Sequence, residues 1–507
     1  MIPSKKYQYL LFRRQFLVSD IQFESYKDWH IHVVFHAGRQ FCIHGHPDLE
    51  FTYAEKHFAI YLLGYILNPF KPEMTNQDIA EELARCNTCD KIFSKTDFLN
   101  GRYAMIIADY QNLQIINDAT SSKQVYYLFK GKHFFVGSSP DIISRITRCR
   151  RTKNRDLLDY YHSHVYKNAN QAWFGTETPF QDVMILQPNH VLDLINRSVR
   201  RFWPRNPRQK MKINESVEYV SYIMKGTARA ALNRYTLHCS LTAGYDSRMI
   251  LSSLKHFKDE IRYYTLNSLH FRHLNQADIE LPEKIAKDYG LNHSFIDLTG
   301  EKIDNQFVNI YKQNNVLNRN VFIEAYYRYI NQGHEHTLNL TGIMGDQLLR
   351  ANFRLCGHIT AYKLAERFHV QNFKFVVNSI YQWLIEVLPL YPNYNIHLID
   401  WFNWECFSAT WAGIAATEHD IARDELRMFN CRELFTTFML IHPYFRYKDN
   451  PKIHKMVIKH NWRSLLRYKL VPSNVKYRFC KKILRILCIE PLVNRLYQKS
   501  KYFIKSK

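Results

Sequence analysis

Between Tyr235 and Leu254 the chain changes its hydrophobic period, and few folds accommodate that change over so short a stretch. Tyr235 to Leu241 alternates and carries β-branched and aromatic residues, which reads as a short strand. Met249, Ile250, Leu251 and Leu254 then recur at helical spacing. Thr242 to Ser247 between them is small and polar, with Gly244 at the turn. A strand entering a helix through such a loop points free backbone N–H groups and the positive end of the helix dipole at one spot. A phosphate group suits that spot. Ser240, Thr242 and Ser247 can add hydroxyl donors. Asp246 would repel a bare phosphate but suits a Mg²⁺ that bridges phosphates.

The loop has neither the lysine nor the spacing of the Walker-type phosphate loop. It resembles the Ser-Gly-Gly-x-Asp-Ser pyrophosphate loop of the asparagine synthetase-like, N-type ATP pyrophosphatase family. Ser240 or Thr242, then Leu241, Ala243, Gly244, Asp246 and Ser247, occupy the motif, with Ala243 where the family often has Gly. The resemblance implies ATP and Mg²⁺ as cofactors. Taken alone, the loop also fits an ordinary strand–turn–helix, so the neighbouring segments have to supply context.

They do so in order. Pro204-Arg-Asn-Pro-Arg208 reads as a linker, and Asn214 to Leu232 as a helix. Ile261–Leu266 reads as a strand, Ala277–Gly290 as a helix and Asn292–Asp297 as a further strand. Strands alternating with helices predict a doubly wound parallel sheet with ligands at the strand C-termini. A second turn, Thr341-Gly-Ile-Met-Gly-Asp-Gln347, follows the apolar Leu338–Leu340. It is similar to the family's Gly-x-Gly-Gly-Asp-Glu motif through Gly342, Gly345 and Asp346, with Gln347 replacing Glu. The resemblance implies that Asp246 and Asp346 share one Mg²⁺. Ile343 stands where asparagine synthetases carry a Glu linked to ammonia attack, and Ile cannot do that work.

From about Leu355 onward the chain reads as helices. Ile441-His-Pro-Tyr-Phe-Arg446 and the run Leu465, Arg467, Pro472, Arg478, Lys481 resemble the family's C-terminal elements. The resemblance implies that Lys481, or else Lys476 or Lys482, contacts the phosphates; solvated lysines of a basic tail are the plainer reading. Arg248 opens the loop helix and would reach an anionic group or lie on the surface.

The first half reads as strands. Trp29–Phe35 alternates, and His30 and His32 would share one face at a spacing that zinc sites use, although a solvated or hydrogen-bonded strand edge is the plainer reading. Lys56–Leu67 looks partly helical, and Thr75–Ala84 reads as a capped amphipathic helix. Gly101-Arg-Tyr-Ala104, Asn117-Asp118, Phe135-Val-Gly-Ser138 and Pro188–Leu192 follow the order of the family's class II glutamine amidotransferase domain. That domain works through an N-terminal Cys. This chain opens Met1-Ile2-Pro3, with no Cys before Cys42. Leu63-Gly-Tyr-Ile-Leu-Asn68 would match the family's oxyanion segment, and Leu63 has no side-chain donor there. The resemblance therefore implies the fold without glutamine hydrolysis.

Composition sets the outer bounds. The 507 residues and formal charge of +23 imply two or three domains. No run approaches the ~18 apolar residues of a membrane span. The opening Met1–Lys6 has no apolar signal-peptide core, and the expectation is a cytoplasmic protein. Of ten cysteines only Cys86 and Cys89 pair by spacing, which reads as reduced thiols rather than a zinc or redox site. No nucleic-acid motif accompanies the basic charge. After Asp449 the only acidic residue is Glu490, and the stretch from Ile483 would touch an anionic membrane surface or pack on the protein.

The expectation is an α/β plus α+β protein. Residues 1–205 form a degenerate amidotransferase-like sandwich of the Ntn type. Residues 206–507 form a doubly wound ATP pyrophosphatase domain with a helical, basic end. The resemblance implies an ATP-dependent, AMP-forming ligase that activates a carboxylate and passes it to ammonia or an amine, in a natural-product or surface-polysaccharide pathway. Asparagine synthesis from ammonia, and a non-catalytic nucleotide-binding relic, are the alternatives.

Overall fold

Alternating apolar residues in the first half call for sheets with one face inward. The computed structural model describes residues 5–24, 26, 28–170, 172–267, 277–298, 302–318, 322–332, 337–349, 358–447 and 450–468. Its early strands are β1 (Phe16–Ser19), β2 (His30–His36), β3 (Arg39–Gly45), β4 (Phe51–Glu55), β5 (Ala59–Leu67) and β6 (Asn100–Ala108). Then come β7 (Leu113–Asn117), β8 (Tyr126–Lys130), β9 (His133–Gly137), β10 (Met184–Ile185), β11 (His190–Asp193) and β12 (Ser198–Arg201). They form two six-stranded antiparallel sheets, β10–β8–β9–β1–β3–β2 and β12–β11–β7–β6–β5–β4. Phe16, Val18 and Ile43 of one sheet share a core with Tyr61, Leu63 and Ile106 of the other. This is a sandwich.

The stretch Lys56–Leu67 is not helical. Residues Ala59–Leu67 form β5, buried along its whole length. One face meets the sandwich interior, and the helix Asn76–Ala84 packs against the strand as well. A strand covered on both faces is apolar throughout, so its period of two is hidden. Gly64 and Gly101 lie on the paired strands β5 and β6 with φ of 110° and 130°. A Cβ at Gly64 would strike the Arg102 carbonyl oxygen, so only glycine lets the backbones approach there.

The second half holds β13 (Leu237–Ser240), β14 (Arg262–Asn267), β15 (His293–Asp297), β16 (Leu338–Thr341) and β17 (Asp424–Arg427). They form one parallel sheet in the order β15–β14–β13–β16–β17. The strand order reverses between β13 and β16, so the crevice beyond their C-terminal ends is the expected ligand site. β17 corrects the all-helical reading beyond Leu355. Its sequence, Asp-Glu-Leu-Arg, shows no apolar alternation. Pairing with β16 makes it a strand, and its charges are held in buried ion pairs such as Arg427–Glu425 at 2.6 Å.

The halves share one continuous core, which runs from Tyr7 to Tyr468. Ion pairs also lock them together. Arg102 of β6 donates to both Asp420 carboxylate oxygens, at 2.5 and 2.7 Å, and to Asp424 at 2.9 Å. Lys123 Nζ lies 3.6 Å from Asp420, and Arg14 donates to the Asp420 carbonyl. Arg201 makes a two-pronged contact with the buried Glu405, which also accepts from Asn189 and Trp383. Among the described residues no helix is long and apolar enough to cross a membrane.

Candidate functional site

β13 ends at Ser240, and the helix Tyr245–Ser253 begins after Gly244. Gly244 offers no side-chain cap, so the first N–H groups of that helix keep their anion-binding capacity. The loop is braced from within. The Thr242 N–H donates to Ser247 Oγ at 3.0 Å, and Ser247 Oγ donates to the Ser240 carbonyl at 3.4 Å. Thr242 Oγ1 accepts from the Gly244 N–H at 3.4 Å. Thr265 Oγ1 on β14 donates to the Leu241 carbonyl at 2.8 Å and lies 2.9 Å from His293 Nε2. The hydroxyls expected to meet phosphate therefore also fix the loop's shape before any ligand arrives.

The second turn meets this loop. Gly342 and Gly345 flank Met344, a buried residue held at φ 84°, in the left-handed region. A Cβ on Gly345 would stand 2.7 Å from Asp246 Cγ, and one on Gly342 would stand 3.7 Å from Asp246 Cβ. Gly345 is there because Asp246 fills the space its side chain would need, whereas at Gly342 a Cβ would crowd Ile250 Cδ1 at 3.2 Å. Asp346 follows in the turn Gly345–Leu349. Asp246 and Asp346 line the same cleft, of about 540 Å³. His454, fully buried on the helix Lys452–Trp462, places Nε2 3.0 Å from Asp246 Oδ1.

Of the residues expected in the site, Ser240, Leu241, Thr242, Gly244, Asp246, Ser247, Gly342 and Asp346 line this cleft. Ala243 is buried and Gly345 backs Asp246, so both shape the cleft without lining it. Ile343, expected in place of a catalytic Glu, does line it. Lys476, Lys481, Lys482 and the basic stretch beyond lie outside the described residues. The Gln347 side chain is likewise outside them.

Arg248 departs from both readings of the sequence. It neither faces the cleft nor lies on the surface. It is fully buried over the Tyr245 ring and donates to the Tyr468 carbonyl at 2.6 Å. Burial pulls its pKa below the usual arginine value. Its work is to tie the loop helix to the segment Arg463–Arg467 and Tyr468.

The other walls of the cleft escaped the sequence reading. Phe322, Tyr326 and Tyr329 come from the helix Ile323–Asn331 and its N-cap, and Trp411 and His419 from the helix Ala409–His419. Behind Tyr264 and Tyr329 lies Arg423, whose guanidinium sits 3.7 Å from the Tyr329 ring centre and donates to the Tyr264 hydroxyl at 2.7 Å. Tyr264 in turn donates to Asn339 Oδ1 at 2.8 Å. His419 lies 3.1 Å from Glu425, and burial pushes its pKa down to about 4. Nothing in the sequence marks Tyr326, Tyr329 and Trp411 as lining residues, and only the packing of two helices brings them to one cleft.

The groups that sequence pointed to in the first half are taken up in packing. Leu63 is buried in the sandwich core, paired with Phe51 and Ala104, and presents no donor. Cys42 is buried, and burial raises its thiol pKa. Cys89 is pushed up to about 11 by burial. His32 stacks on Phe51 at 3.9 Å, and His44 on Phe23 at 4.2 Å. Among the described residues no group of three or more His, Cys, Asp or Glu is placed to hold a metal ion.

No protein-family model matches the chain, and no curated protein matches it. Some solved structures are faintly similar. Glutamine phosphoribosylpyrophosphate amidotransferase from B. subtilis shares 8% identity over 74% of this chain and 75% of that one, with a TM-score of 0.23. NH3-dependent NAD synthetase from Campylobacter jejuni shares 13% identity over 36% of this chain and 86% of that one, with a TM-score of 0.19. Glutamine-dependent NAD+ synthetase from Acinetobacter baumannii shares 8% identity over 56% and 64%, with a TM-score of 0.19. Likenesses at this level carry no argument, and the geometry of the cleft stands by itself.

Proposed function

We propose that the protein is an ATP-dependent, AMP-forming ligase of the asparagine synthetase-like kind, joining a carboxylate to ammonia or an amine. One observation carries the reading: carboxylates from two separate strand–helix turns, Asp246 and Asp346, face one cleft at the sheet's switch point, with Gly342 and Gly345 packed against the first. Two carboxylates are too few to cage a metal alone, but suit Mg²⁺, which takes its remaining ligands from phosphates and water. Mg²⁺ held by Asp246 and Asp346 would neutralise charge on the departing pyrophosphate.

The chain's own groups supply the rest of the chemistry. The uncapped N–H groups after Gly244 hold the β- and γ-phosphates, with Ser240 and Thr242 beside them. A substrate carboxylate oxygen attacks the α-phosphorus. The new P–O bond forms as the bond to pyrophosphate breaks and its electron pair leaves on pyrophosphate. An amine then attacks the acyl carbon, AMP departs and the amine loses a proton. Lys481, or Lys476 or Lys482, belongs to the proposal as the cation that steadies the developing charge. Ile343 in the cleft argues against asparagine as the product, since no carboxylate stands at its place to manage ammonia's protons. The proposal places the work in a natural-product or surface-polysaccharide pathway, without glutaminase activity of its own.

Exchange of labelled pyrophosphate into ATP, run across a panel of carboxylates, tests this. The proposal expects exchange with at least one acid, and AMP rather than ADP as product. Tight ATP binding with no exchange across the panel would instead favour a nucleotide-binding relic.

A further inference from the structure

The two oxygens of Asp246 do not stand in the same surroundings. The side chain lines the cleft and is 18% exposed, yet Oδ1 is closed off from solvent. Gly345 and His454 lie against that oxygen. A Cβ on Gly345 would stand 2.8 Å from Oδ1, and His454 Nε2 stands 3.0 Å from it. His454 arrives on the helix Lys452–Trp462, which runs alongside the loop helix Tyr245–Ser253. His454 meets Asp246 near the start of the pair, and Asn461 Nδ2 donates to Ser253 Oγ at 3.4 Å near its end. Between them Lys455 lies over the Tyr245 ring at 5.1 Å. The imidazole is fully buried, with the Phe438 ring 6.0 Å away. Burying a polar ring costs free energy unless it finds a partner, and the Asp246 carboxylate stands within reach. A carboxylate only accepts, so the nitrogen that faces it carries the proton.

We infer that His454 is a positioning residue for the metal: it holds Oδ1, so that Asp246 binds Mg²⁺ through Oδ2 alone. This rests on the Mg-ATP reading above and adds the group that sets its metal ligand. Asp246 lies in the first turn of its helix, where a free carboxylate could rotate and offer either oxygen or both. Mg²⁺ demands near-octahedral geometry and takes one or two carboxylates, with phosphate oxygens and water completing the shell. A carboxylate already held by one oxygen presents the other in a fixed direction. Its rotation is then restricted on folding rather than on binding, which favours the metal complex. Groups that orient a metal ligand from behind are typically worth about 10- to 100-fold in metal affinity.

Calorimetric titration of the full-length protein tests this, with Mg-ATP and with ATP in a chelator as the two probes. The ratio of the two affinities reads the metal's share of binding. His454→Phe keeps a ring and removes the N–H, and His454→Gln keeps an N–H at similar reach. His454→Leu replaces the Phe variant should that one fail to fold. The wild type should bind Mg-ATP more tightly than metal-free ATP. The ratio should fall about tenfold in His454→Phe, the low end for such a group, and His454→Gln should recover most of it. Affinity for metal-free ATP should be the same in all the proteins. A ring that only packed would be replaced better by Phe than by Gln, which reverses the order. That reversal would overturn the inference, as would an unchanged ratio in His454→Phe, equal losses in both variants, or a loss for metal-free ATP of the same size. Exchange of pyrophosphate with a ratio indifferent to His454 would overturn the inference alone and leave the ligase reading standing. The expected ratios with no exchange for any acid would uphold His454 and overturn the ligase reading. A wild type that binds no Mg-ATP, or binds it no better than metal-free ATP, would overturn the role of His454 together with the metal site.

Discussion

A methyl group on Gly345 would sit 2.7 Å from the Asp246 carboxylate carbon, well inside van der Waals contact. Gly345→Ala should therefore displace Asp246 or the turn, and pyrophosphate exchange should fall by on the order of 100-fold, the scale of losing one transition-state contact. The far-ultraviolet circular dichroism should stay native, since overpacking typically costs only ~1–3 kcal/mol. Exchange at the wild-type rate would show that the close approach has no bearing on activity. His419 gives a second residue-scale expectation. Burial lowers its folded pKa to about 4, whereas an unfolded His titrates near its usual ~6.5. The unfolded chain thus binds the proton first as pH falls. This group's contribution to stability is intact above about pH 6.5, declines between about 6.5 and 4, and then levels off. His419→Gln should flatten that part of a denaturation-midpoint profile against pH. An unchanged slope would mean that other groups, such as the buried His44, set it.

At the scale of elements, the join between the halves is a buried charge network centred on Arg102, Asp420 and Asp424. Burial disfavours the charged form of Asp424, but Arg102 and Lys123 outweigh it and hold its pKa below the usual carboxylate value. Asp420→Ala would leave Arg102 and Lys123 short of a partner at 1% exposure. Breaking a buried pair typically costs about 3–5 kcal/mol. Denaturant titration should register a loss of that order, and a change under about 1 kcal/mol would contradict the lock. The sequence made parts of the molecule plain and hid others for physical reasons. β13, β14, β15 and the loop helix were legible because their apolar patterns are short and clear, with Gly244 and Gly290 marking the ends of all but β14. β5 hid because it is apolar on both faces. β17 hid because its charges look solvent-facing until their partners surround them, Arg102 from a distant strand for Asp424 and the neighbouring Glu425 for Arg427. Arg248 misled for the same reason: its carbonyl acceptors lie on a segment more than two hundred residues away. The two turns of the site were readable from Gly and Asp spacing. The rings that line the cleft were not, since Tyr326 and Trp411 look like any packed aromatics before helices from different places converge.

The whole molecule is a sandwich fixed to a parallel-sheet domain, and the proposal puts the chemistry in the crevice of that sheet. In the sandwich the Cys42, Cys86 and Cys89 thiols have their pKa raised by burial, and Leu63 faces the core. The pure protein should release no glutamate from glutamine, and steady glutaminase turnover would contradict that. The central claim is that Asp246 and Asp346 act as one unit on ATP. Pyrophosphate exchange measured for Asp246→Asn, Asp346→Asn and the double variant tests it most directly. The account predicts that each single change removes exchange by about 100-fold or more and that the double change adds little, because groups that act together are not additive. Small losses that multiply in the double variant would mean that the two turns do not serve the same phosphates.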